Sequence, residues 1–133
     1  MQVFVNLPVA DLARARAFWE TLGFSFDPRF SDDATALALR LSDHAHAMLL
    51  SHARFADFTP RRIADAHATT EVLVALQLDS RAAVADLTAR AVAAGGARVR
   101  AFEDLGFMVS DAFADPDGHI WEPFWMDPAA QEG

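Results

Sequence analysis

Phe113-Ala-Asp-Pro-Asp-Gly-His-Ile-Trp-Glu-Pro-Phe-Trp-Met-Asp127 is the stretch on which the fold turns. Within it, Asp115-Pro116-Asp117-Gly118 has the composition of a tight turn. Pro116 presets φ, the Asp carboxylates accept from nearby N–H groups, and Gly118 tolerates positive φ. Apolar segments flank the turn, Phe107 to Phe113 before it and His119 to Met126 after it, so the stretch predicts a β-hairpin. Its second strand sets one carboxylate, Glu122, among Ile120, Trp121, Phe124 and Trp125. A carboxylate in that company must be solvated, paired, metal-bound or protonated. An enclosed one is suited to proton transfer near neutrality.

Working back from the hairpin, Ala97 to Phe102 reads as a further strand. Gly95-Gly96 ends a helix that Ser80 caps and that runs from Arg81 to Ala94, with Val84, Leu87, Ala91 and Val92 on one face. Glu71 to Leu78 is the strand before it. The same order occupies the N-terminal half. Val3 to Leu7 is a strand closed by Pro8, and Asp11 caps a helix from Leu12 to Leu22. Leu12, Ala15, Trp19 and Leu22 form its stripe, and Gly23 ends it. Phe24 to Phe30, Ala34 to Leu41 and Ala45 to Ser51 follow as strands, the first confined by Pro28 to an edge or a bulge.

Setting Leu7-Pro8-Val9 on Leu76-Gln77-Leu78 places Phe4 opposite Leu73, and the second helix needs about one extra turn. The chain therefore reads as a βαβββ unit repeated twice, an α+β domain over 1–133. Its first module covers 1–51, a connector 52–69, the second module 70–127 and a tail 128–133. The connector begins with a short helix reaching Phe58. At this length it is a lid or a tether: Arg54, Arg61 and Arg62 with Phe55 and Phe58 either close over an anionic or aromatic ligand or form a solvated linker.

Composition removes several functions. The formal net charge is −8 and Lys is absent, so neither a nucleic acid nor an anionic membrane is an expected partner, and Schiff-base chemistry is excluded. With no Cys there are no disulfides and no thiolate sites. No apolar run is long enough to cross a bilayer, and the N-terminus lacks an export pattern, which makes the cytoplasm the expected compartment. A Ser-centred nucleophile elbow, a phosphate loop and a His-Glu-x-x-His helix are all missing.

Val9-Ala-Asp-Leu12, Ala17-Phe-Trp-Glu-Thr-Leu-Gly-Phe24 and Asp115-Pro-Asp-Gly-His-Ile-Trp-Glu122, in that order on two βαβββ modules, resemble the vicinal oxygen chelate superfamily. This is the group of glyoxalase I, bleomycin-resistance proteins and extradiol dioxygenases. The chain also resembles a subgroup of uncharacterised glyoxalase-like proteins that open with Phe4-Val-Asn-Leu-Pro-Val9 and close with Gly118-His-Ile-Trp-Glu122. The resemblance implies a mixed sheet curled around a cleft, a homodimer, and either binding or lyase, isomerase or dioxygenase chemistry. Enzymes of the superfamily hold one divalent metal with four side chains from four strands, usually His, Gln or Glu. Carried onto this sequence, those positions are Phe4, a residue near Leu49, a residue near Leu73, and Glu122. Phe and Leu offer no lone pair. The usual metal site is therefore not expected.

Strand alternation extends this mapping. If positions 4, 49, 73 and 122 face inward, so do Asn6, Ser51, Ala75, Gln77, Ile120 and Phe124. Val3, Val5, Leu7, Val72, Val74, Leu76 and Leu78 then pack on the helices. Phe4, Asn6, Leu49, Ser51, Leu73, Gln77 and Phe124 around Glu122 have the composition of a small-molecule pocket, or of a filled core. Glu122 is a general base, a ligand-orienting carboxylate, or half of a buried pair with an Arg such as Arg40. His44 and His46 read as exposed turn residues on the side away from the cavity, with His52 nearby and His67 in the connector. His119 lies three residues from Glu122 and so faces the other way. Trp19, Trp121 and Trp125 read as core and interface anchors.

The leading expectation is a small-molecule binding protein that needs no cofactor and takes an apolar or partly aromatic ligand. One alternative is a glyoxalase-like lyase, isomerase or dioxygenase with a rebuilt site for one divalent metal such as Ni, Zn, Mn or Fe. The other is a metal-free proton-transfer enzyme with Glu122 as its base.

Overall fold

Asp11 and Ser80 start the two principal helices. The Asp11 carboxylate accepts from the Arg14 N–H at 3.0 Å and the Ser80 hydroxyl from the Ala83 N–H at 3.1 Å, each satisfying a donor the helix cannot. The computed structural model describes residues 1–131. Its elements are β1 (Val3–Val9), α1 (Leu12–Thr21), β2 (Ala36–Arg40), β3 (Ala45–Ser51), α2 (His52–Ala56), β4 (Leu73–Gln77), α3 (Arg81–Ala93), β5 (Ala97–Asp104), β6 (Met108–Ala114), β7 (Ile120–Met126) and α4 (Pro128–Gln131). α3 has 13 residues against 10 in α1, close to the extra turn read from the sequence. α4 occupies the start of the expected tail; the last two residues of that tail lie outside the described residues.

The chain divides into two compact units, Met1–Asp65 and the residues from Ala66 onward, with the boundary inside the expected connector. In the first unit the sheet order is β1-β3-β2, with β1 parallel and β2 antiparallel to β3. Leu7, Val9, Leu37, Leu39, Ala47 and Leu49 line one face of it and are buried, together with Ala15, Phe18 and Trp19 of α1. Trp19 meets Phe24 edge-to-face, with ring centroids 5.0 Å apart. The strand expected over Phe24 to Phe30 reduces to one antiparallel bridge between Phe26 and Leu39. Asp27 ends it by capping a 3₁₀ turn, Pro28–Phe30, because proline cannot donate to a ladder.

In the second unit the order is β4-β7-β6-β5, with β4 parallel to β7 and the remaining pairs antiparallel. Val109, Phe113 and Trp121 are buried on one face, and α3, which packs on β5, β6 and β7, buries Val84, Leu87, Thr88 and Ala91. Val92, expected on that helix face, is exposed, and Thr88 is buried in its stead. The hairpin turn closes through the Gly118 N–H on the Asp115 carbonyl at 2.9 Å, with Gly118 at φ +89. The repeat thus forms the expected α+β pair of βαβββ-like modules, with one mixed sheet in each where a single mixed sheet was expected. No helix among the described residues is long and apolar enough to cross a membrane.

Candidate functional site

β7 carries the carboxylate singled out by the sequence. Leu73, Ala75 and Gln77 of β4 are in register with Ile120, Glu122 and Phe124 of β7. Paired residues share a face, so Leu73, Gln77, Glu122 and Phe124 stand together on the face away from α3. Leu73 and Gln77 are exposed, while Ile120 and Phe124 are half-buried. Ser110 of β6 pairs with Phe124 and joins the same face.

Glu122 is not alone there. Arg100 Nη2 donates to Glu122 Oε2 at 3.2 Å and to Ser110 Oγ at 3.3 Å. Arg40, the partner suggested by the sequence, instead lies in the first unit on Asp27, at 3.4 Å. What brings Arg100 to Glu122 is an irregularity. The β5–β6 register shifts between Arg98 and Arg100, so Arg98 pairs with Phe113 and Arg100 with Ala112. Arg98 binds Asp111, and Arg100 is released to the Glu122 face. Two arginines at period two in β5 were visible in the sequence, but the shift that separates their roles was not.

The first unit supplies a different arrangement. Phe4 and Asn6 pair with His46 and Met48, whereas Leu7 and Val9 pair with Leu49 and Ser51. Leu49 and Ser51 therefore leave the expected inward set: Leu49 is in the core on the α1 face, and the Ser51 hydroxyl caps α2 by accepting from Arg54 N–H at 3.2 Å. His46 is corrected twice. It lies on the same face as Phe4 and is 1% exposed, stacked under the Phe4 ring at 5.0 Å with an interplanar angle of 9°. Phe30 approaches its edge, with ring centroids 6.0 Å apart. Neither ring nitrogen of His46 has a hydrogen-bond partner among the described residues, and Nε2 stands 3.6 Å from Asp27 Oδ2. His44 remains exposed, as expected.

Asp27, overlooked in the sequence, is buried and accepts from Arg29 Nη2 at 2.7 Å and from the Arg29 N–H at 2.9 Å. The Asp-Pro-Arg order of a capped turn is the signal that would have found it. The Arg29 guanidinium holds the Asp27 carboxyl well below the usual carboxylate range. Asp32 is lowered to about 2, first by the Thr35 hydroxyl and then by the Thr35, Ala36 and Ala34 N–H groups. Both folded values lie below the unfolded one. Each therefore contributes stability that is present above about pH 4 and lost in acid; for Asp32 the loss is complete once pH has fallen through about 2. In acid unfolding followed by circular dichroism, Asp32→Asn should show a shallower loss of stability across that window than the parent. An unchanged slope would contradict the assignment.

Residues 2–36 match the family described as Bleomycin resistance protein-like N-terminal. No curated protein matches the chain. Among solved structures, a hypothetical protein from S. aureus is 22% identical, with 94% of this chain and 91% of that one covered and a TM-score of 0.78. A glyoxalase/bleomycin resistance protein/dioxygenase family enzyme from Burkholderia phytofirmans PsJN is 18% identical over 92% and 96%, with a TM-score of 0.75. The bleomycin resistance determinant encoded on the transposon Tn5 is 22% identical over 95% and 98%, with a TM-score of 0.63. The chain has the glyoxalase/bleomycin-resistance fold.

The strand registers also test the metal positions that this fold implies. Ala75 pairs with Glu122 in the second unit, and Asn6 pairs with Met48 in the first. With Phe4 matched to Leu73, the first-unit counterpart of Glu122 is Met48 rather than Leu49. The four positions are then Phe4, Met48, Leu73 and Glu122, a set with one carboxylate, one soft thioether and two hydrocarbons. Hard and borderline divalent ions want oxygen and imidazole donors, and the one carboxylate is already held by Arg100. These residues do not fit the metal of the glyoxalase/bleomycin-resistance fold. Among the described residues there is also no other group of three or more His, Asp and Glu side chains placed to hold an ion.

Proposed function

We propose that the protein binds a small apolar or partly aromatic molecule without a metal, in the manner of a bleomycin-resistance protein. The observation that carries this reading is the open face of the β4-β7-β6-β5 sheet. It sets an ion pair, Arg100–Glu122, among Leu73, Ile120 and Phe124, which is apolar contact area with a polar centre. Leu73 and Gln77 flank that centre, and Glu122 acts as an orienting carboxylate. Phe4 and Asn6 give the first unit an exposed aromatic and amide pair of similar character. The homodimer implied by the resemblance is included in the proposal, as is a cytoplasmic location.

Two measurements test it. Protein purified without chelator should carry no stoichiometric Ni, Zn, Mn or Fe, and adding these ions should leave Tm unchanged. A screen of small aromatic compounds should return hits that raise Tm by several degrees, because a ligand at 100 times its Kd adds about 2.7 kcal/mol. One tightly held metal per chain, lost in Glu122→Ala, would replace this reading with a rebuilt metal site.

A further inference from the structure

The polar centre on the second unit's open face constrains the charge of whatever it takes. Resting on the binding role proposed above, we infer that the ligand is uncharged and presents a hydrogen-bond acceptor beside a donor, as a carboxamide, lactam or urea does, on an apolar or aromatic body. Arg100 and Glu122 lie 3.2 Å apart with side chains 35% and 26% exposed, so each cancels the other's charge in a partly desolvated setting. A ligand carboxylate would compete for Arg100 and leave Glu122 uncompensated beside Ile120 and Phe124. A ligand ammonium would do the reverse. Separating the pair leaves one partly desolvated charge without its partner, a cost that an uncharged ligand does not meet. Glu103, opposite Ser110, is exposed and its charge is screened by solvent.

The hydrogen-bonding capacity left over is of both kinds. Glu122 Oε1 accepts, and Arg100 Nε donates; neither has a partner among the described residues. Ser110 Oγ already accepts from Arg100, which leaves its hydroxyl hydrogen to donate. An amide carbonyl facing Ser110 and Arg100, with its N–H toward Glu122, satisfies all three groups without separating the pair. Leu73, 51% exposed, continues the face as apolar area for the ring.

The test is an NMR titration of the isotope-labelled full chain with four probes that share one ring: benzamide, benzoate, benzylammonium and fluorobenzene. Benzamide should shift the amide signals of 73–77, 108–112 and 120–124 and bind at least about tenfold more tightly than the other three. Glu122→Gln should move the preference to benzoate, and Arg100→Gln should move it to benzylammonium. If either ion matches benzamide on the wild-type face, the neutral-ligand inference fails while the binding role stands. Fluorobenzene matching benzamide has the same meaning, since the polar centre would then contribute nothing. If no probe shifts that face, both the inference and the binding role are overturned.

Discussion

Trp121→Ala should lower the unfolding free energy by about 3–5 kcal/mol, the range for deleting a fully buried large aromatic side chain. Trp121 is 0% exposed and stands with Val109 and Phe113 on the buried face of its sheet, the layer that also holds Val84, Leu87 and Ala91 of α3. The indole has a second role. Its Nε1–H donates to Asp115 Oδ2 at 3.0 Å, while Asp115 Oδ1 accepts from the Asp117 and His119 N–H groups at 2.9 and 3.1 Å. Burial pushes the Asp115 carboxyl up, and the charge of His119 and the indole N–H oppose that shift. Removing the indole therefore opens a cavity and takes a donor from a buried acid, and the two costs add. Trp121→Phe separates them, because it keeps most of the ring area and loses the N–H; about 1–3 kcal/mol is expected. Urea unfolding with unchanged m-values is the measurement. A loss below about 1 kcal/mol for Trp121→Ala would mean that the core of the second unit does not depend on this ring.

Where a strand carries one polar residue among apolar ones, the sequence specified its facing. Glu122 did so for β7, and the facing of Leu73 and Gln77, on either side of its partner Ala75 on β4, follows from the same alternation. Ala45-His-Ala-Met-Leu-Leu-Ser51 has no such contrast, because apolar residues occupy both faces, and a one-residue slip sends Leu49 to the core and His46 under Phe4. The helix starts at Asp11 and Ser80 and the turn at Asp115–Gly118 were legible because each rests on local chemistry that few residues can supply. Arg100 and Asp27 were not. The first depends on a register shift in β5, and the second on a strand that stops after one bridge. Both are decided by tertiary pairing, which a single strand's pattern does not contain.

Gly118→Ala should cost about 2–4 kcal/mol, more than the same change at Gly23, and the difference has a defined source. Both glycines have left-handed φ, +89 and +92, so Ala meets the same backbone penalty of about 1–2 kcal/mol at either position. At Gly23 an added Cβ would meet nothing within 4 Å. At Gly118 it would meet His67 N at 2.8 Å, Ala66 C at 2.9 Å and His67 Nδ1 at 2.9 Å. Two of those three atoms are backbone and cannot rotate away, so either the turn or the 66–67 segment must shift. That segment is the end of the expected connector, and the turn leads into the strand that carries Glu122. Gly118→Ala should therefore loosen Ala66 and His67, read as faster amide exchange there, while Gly23→Ala leaves those amides unchanged. Equal costs at the two glycines would show that the contact with His67 does not hold the connector to the hairpin. A larger cost at Gly118, with exchange changes confined to 66–67 and the turn, would fix the connector's end as part of the frame that positions Glu122.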